Sequence, residues 1–136
     1  MEQKDYMLRE IEKIGKIISA IRRKLFGGDD NPEIITEQER TELSEMLLEE
    51  INFDLDKFFN LNFDESIEYL NSFEGFNTEN IESLAELISE IGFADNSEQA
   101  KKILEKSLQL YELVILQSKT FSFDREMKIQ MIKDAL

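Results

Sequence analysis

The chain has 136 residues, of which 41% are hydrophobic and 34% charged, and a net charge of −14; that suits one domain with a core of its own and is too apolar for a disordered tail. It contains neither cysteine nor histidine, which excludes a disulfide framework, cysteine nucleophiles, histidine general bases and the usual zinc and copper ligands. No apolar run approaches the roughly 20 residues of a bilayer span, and no signal-peptide core is visible, so a cytoplasmic location is expected.

The first predicted element is a long helix over residues 1–28. Met7, Ile11, Ile14, Ile18, Ile21 and Leu25 recur at alternating spacings of 4 and 3, a heptad stripe, and Leu8, Ile17 and Phe26 widen it. Asp5–Arg9 and Glu12–Lys16 are spaced for i,i+4 pairing, and Arg22, Arg23 and Lys24 fall where cations suit a helix C-terminus. Gly27-Gly28 is expected to supply a left-handed cap. Gly15, inside the helix, either admits a neighbouring helix closely or is a tolerated cost. Residues 29–35 form a loop around Pro32, and residues 36–136 a helical body; together they make one domain.

Thr36-Glu37-Gln38-Glu39 matches a capping box, opening a helix with Leu43, Met46, Leu47 and Ile51 on one face. An aromatic residue then precedes an Asx residue four times, at Phe53-Asp54, Phe63-Asp64, Phe76-Asn77 and Phe123-Asp124. Each pair is read as a hydrophobic residue ahead of an N-cap, with Phe58 and Ile81 as staple partners for Phe53 and Phe76. Short helices are therefore expected at about 54–60 and 64–72, and longer ones at about 77–91, 97–119 and 123–135, with Gly92 ending the first of these three. The predicted fold is an all-α bundle of five long and two short helices.

Leu84, Leu87, Ile88 and Ile91, followed by Ala100, Leu104 and Ser107, resemble a degenerate tetratricopeptide repeat, which implies a helical hairpin in the C-terminal half. Ile88 and Ser107 depart from its small-residue positions, and no second copy follows at about 34 residues. Asp5 to Glu12 and Ser118 to Arg125 resemble a family of small helical bacterial proteins of unknown function; the resemblance implies architecture and a bacterial origin, and no catalytic residues.

Charge is uneven along the chain. Residues 1–28 carry +3, residues 29–100 carry −19 and residues 101–136 carry +2. Such an acidic middle repels nucleic acid, and the basic ends are expected to pack beside it. Asp54 to Glu65 is spaced like a calcium loop, but Phe58 and Phe59 occupy an oxygen-ligand position and the obligatory glycine position, and Asp29 to Glu33 reads as a solvated turn. No metal site, no cofactor and no enzymatic motif is expected. What remains is an interaction module binding a protein partner or a second copy of itself. Its candidate surfaces are the Met7, Ile11, Ile14, Ile18, Ile21, Leu25 stripe and an acid-rimmed groove lined by Phe58, Phe59, Phe73 and Phe76. The alternative is peripheral attachment to a membrane surface through the basic first helix.

Overall fold

A computed structural model describes residues 2–27 and 34–136. It contains seven helices and, among the described residues, no strand: α1 (Glu2–Phe26), α2 (Glu37–Ile51), α3 (Leu55–Phe59), α4 (Phe63–Asn71), α5 (Thr78–Ala94), α6 (Ala100–Ser118) and α7 (Phe123–Ala135). This is the all-α bundle of five long and two short helices that the periodicity implied. The loop residues 29–33 and Gly28 lie outside the described residues.

The helices begin where short polar side chains satisfy the free amides of their first turns. Thr36 and Glu39 close the expected capping box on α2. Asp54 caps α3 and Asn77 caps α5, as the aromatic–Asx pairs anticipate. The other two pairs are corrected. Asn62 caps α4 in a box with Glu65, and Ser122 caps α7, so Phe63 and Phe123 are the first residues of their helices. In both places a polar residue one step earlier reaches the third amide, which the Asx residue inside the helix cannot do. Asn52, in the left-handed conformation, ends α2.

The glycines also read differently. Gly27 has no positive φ, and Gly92 ends nothing, since α5 continues to Ala94. A Cβ at Gly92 would lie 2.7 Å from the Leu104 side chain; the glycine is there to let α6 press against α5. Ser107 Oγ donates to the Ala85 carbonyl across the same seam, at 2.7 Å, and the Thr78–Gln117 bond fixes the pair as antiparallel.

α1 lies along α5 in the same direction. Asn80 Nδ2 donates to the Ile11 carbonyl near one end, and Arg22 pairs with Glu86 and Glu90 further along. Asn80 also donates to the Gly75 carbonyl at 2.7 Å. A Cβ on Gly75 would lie 2.5 Å from the Glu10 carbonyl oxygen, so this turn is where α1 approaches most closely. α2 returns antiparallel, pinned at its start by Ile35 N–H donating to Ala94 O and by the Arg40–Asp95 pair. The short α3–α4 unit is tied to α6 by Lys106, whose ammonium donates to Leu61 O and Ser66 Oγ.

The core runs between these layers. Ile14, Ile18, Ile21 and Leu25 of α1 are buried in it together with Leu43, Leu47, Leu84, Leu87, Ile88, Leu110, Val114 and Ile132. Phe53 is fully buried at the centre of an aromatic cluster, with ring centroids 5.1–5.6 Å from Phe58, Tyr69, Phe73 and Phe76. Tilted and edge-on rings at these separations are the favourable arrangement.

Candidate interaction surface

The last helix shows how one sequence can supply two apolar faces. In Phe123 to Ala135 the apolar residues are Phe123, Met127, Ile129, Met131, Ile132 and Ala135, too many and too spread for one stripe. Ile129 and Ile132 are buried against the body, with Arg125 beside them. Phe123, Met127 and Met131, at i, i+4 and i+8, occupy the opposite face and are 69%, 53% and 58% exposed. At the same end Leu116 on the last turn of α6 and Phe121 in the connecting turn are also exposed.

α7 is held in this orientation by charge as much as by packing. Arg125 meets Glu82 through two nitrogens, at 2.7 and 3.2 Å, and donates a third hydrogen bond to Thr120 O at 3.1 Å. Lys128 bridges Glu86 and its own-helix neighbour Asp124. Glu86 in turn accepts from Arg22 of α1, which also binds Glu90. Three carboxylates spaced along α5 thus face three cations from α1 and α7, which is how the basic ends offset the acidic middle. Burial opposes the charge of Arg22 and of Lys128, but their carboxylate partners outweigh it and raise both pKa values. The i,i+4 pairs expected within α1, Asp5–Arg9 and Glu12–Lys16, do not form ion pairs. Beneath the network lies the fully buried Tyr111, whose hydroxyl has no partner among the described residues. Desolvation, then Glu86 and Glu82, push its pKa upward.

The residues singled out from sequence lie elsewhere. Of the α1 stripe, Ile14, Ile18, Ile21 and Leu25 are covered by this chain's own α2 and α5 layers; Ile11 is half-buried, and only Met7, with Tyr6 and Leu8, is exposed at the tip. Gly15 is a point of close approach, its would-be Cβ lying 3.1 Å from Asn80 Oδ1. Phe58 and Phe76 are buried and Phe73 half-buried in the aromatic cluster, and Phe59 is half-buried against the core beside it, so the four rings line core and not a groove. Three polar residues of the calcium-like stretch are taken up as caps: Asp54 for α3, and Asn62 with Glu65 for α4.

The stretch that holds α2, α3 and α4 is strongly acidic. Between Glu37 and Asn71 there are eleven Asp or Glu residues against Arg40 and Lys57. Among the described residues, none of the eleven is in an ion pair; the recorded pairs involve the carboxylates of α5, Asp95 and Asp124. No helix among the described residues is long and apolar enough to cross a membrane.

The outer face of α7 is not among the surfaces expected from sequence. The signal was present: Met127 and Met131 lie two residues from the core positions Arg125 and Ile129, about 200° around the helix. Comparisons with protein-family models, curated proteins and solved structures found no match.

Proposed function

We propose that this chain is a non-enzymatic protein-binding module whose contact surface is the outer face of α7. The observation that carries the reading is the solvent-facing row of Phe123, Met127 and Met131, set on a helix whose other face is already committed to the core. Large aromatic and methionine side chains aligned in this way are the composition of interface centres, and methionine adapts to irregular partners. The acidic surface argues against nucleic acid as the partner, since binding there rests on phosphate neutralisation. Membrane attachment through α1 is disfavoured by the burial of that helix's apolar face from Ile14 to Leu25. The reading includes a cytoplasmic location, in keeping with a sequence free of cysteine. It also keeps the tetratricopeptide-like character of the α5–α6 hairpin and a bacterial origin as expectations from resemblance.

The test is a photo-crosslinking residue placed at position 127 in the full chain, expressed in its native cell. A protein adduct is expected there and none at position 45, on the acidic α2 face. Met127→Glu combined with Phe123→Glu, assayed with the crosslinker at position 131, abolishes the adduct. Equal labelling at positions 127 and 45, or none at 127, overturns the reading.

A further inference from the structure

We infer that the occupant of the α7 face is a second copy of this chain, docked antiparallel across a two-fold axis at Met127; this rests on the reading of α7 as the contact surface.

The first argument is area. At about 200 Å² per large side chain, the exposed fractions of Leu116, Phe121, Phe123, Met127 and Met131 amount to roughly 600 Å². That is the upper end of what a lone soluble protein leaves uncovered, about 300–600 Å², and it approaches the ~800 Å² per partner of a standard interface. Among homo-oligomers the two-fold dimer with a self-complementary face is the commonest form.

The second argument is register and charge. The row is symmetric about Met127, with Phe123 one turn before and Met131 one turn after. An antiparallel copy therefore places Met127 on Met127 of the copy, and Phe123 on the copy's Met131. Such a contact pairs a flexible thioether with an aromatic ring. One flank of the row carries Glu126 toward the N-terminus and Lys133 toward the C-terminus, both exposed. In an antiparallel pair like flanks meet, as in antiparallel coiled coils, so Glu126 faces Lys133 of the copy twice. Helical side chains lean toward their own N-termini, which draws these two groups toward each other. A parallel pair brings unlike flanks together and leaves Glu126 and Lys133 of the two copies on opposite sides of the contact. On the opposite flank, Lys128 already has its partners in Glu86 and Asp124 and brings no unpaired charge to the contact.

Sedimentation equilibrium on the purified full chain tests this, with helicity followed by circular dichroism on each variant. A monomer–dimer equilibrium is expected. Glu126→Lys and Lys133→Glu each weaken it by roughly tenfold, and the double swap restores it to within about twofold, because opposite charges again face each other. The absence of native cysteine allows a second measurement that needs one surface substitution. Met127→Cys oxidises rapidly to a disulfide dimer, whereas Leu48→Cys, equally exposed on α2, does so slowly. In a mixture, Phe123→Cys and Met131→Cys cross-link to each other faster than either does to itself. A chain that is monomeric up to about 1 mM, or Met127→Cys dimerising no faster than Leu48→Cys, overturns the inference. If the crosslinker at position 127 still captures a different protein, the binding reading survives and only the second copy is lost.

Discussion

Two buried polar groups behave in ways that the surrounding chemistry dictates. Lys106 is only 3% exposed, with its ammonium on Leu61 O, Ser66 Oγ and, 4.8 Å away, the face of Phe58. Desolvation lowers its pKa to about 8; Glu65 pulls upward and Lys102 reinforces the fall. In the unfolded chain a lysine titrates near 10.4, so between about pH 8 and 10 the folded state binds fewer protons than the unfolded one. Stability from this group therefore increases with pH across that window. Urea midpoints are expected to rise from pH 7.5 to 9.5, and Lys106→Met flattens the slope; a slope unchanged in that variant sinks the assignment. Tyr111 presents the opposite case, a phenol that is buried, neutral and without a hydrogen-bond partner among the described residues. Tyr111→Phe removes an unsatisfied hydroxyl while keeping the ring, and a gain of about 1 kcal/mol in denaturant unfolding is expected. A loss of that size would mean that the hydroxyl is bonded after all.

At the level of elements, the two terminal helices dock by different means. α1 depends on close approach: the Gly75 turn touches the Glu10 backbone, and Asn80 ties the Ile11 and Gly75 carbonyls together. A methyl group at Gly75 meets the Glu10 carbonyl, which cannot retreat without moving α1, and crowds the end of the buried Ile14 side chain. Gly75→Ala is therefore expected to destabilise by about 2–3 kcal/mol, the upper part of the range for overpacking. Calorimetry decides the point, and a loss below about 0.5 kcal/mol would show that the turn has room for the methyl group. Elements of this kind were legible in the sequence to different degrees. The α1 stripe, the capping box at Thr36 and the existence of all seven helices follow from local patterns, because periodicity and cap chemistry act within one turn. What the aromatic–Asx pairs left out is that a cap is chosen by geometry among adjacent polar residues, so Asn62 and Ser122 prevailed. Whether Ile14 to Leu25 would face a partner or the chain itself depends on α5 arriving alongside. That pairing is set by Asn80 and Arg22 across some 70 residues, beyond the reach of a local pattern. The outer row of α7 is obscured for a simpler reason: apolar residues lie on both of its faces, so no one stripe stands out.

Across the whole molecule, charge is sorted by face. Glu82, Glu86 and Glu90 of α5 are neutralised by Arg22, Arg125 and Lys128, whereas the eleven acids between Glu37 and Asn71 have no ionic partner among the described residues. The stretch from Glu37 to Asn71 is therefore strongly negative, and self-repulsion along it opposes compaction. Charges exposed to solvent and spaced along α2 are screened over about 10 Å at 0.1 M salt, while the partly buried α5 pairs are screened much less. The two effects have opposite signs, and the larger number and exposure of the repelling groups decides the balance. Raising sodium chloride from about 20 to 300 mM is expected to raise Tm by about 4 °C, equivalent to about 1 kcal/mol for a domain of this size. Glu45→Lys with Glu49→Lys, both exposed on α2, should reproduce part of that gain at low salt and lose its advantage at high salt. Differential scanning calorimetry of the two proteins at both salt concentrations gives the four values required. A Tm that falls as salt is added would show that the α5 ion pairs, and not the acidic stretch, dominate the electrostatics of the fold.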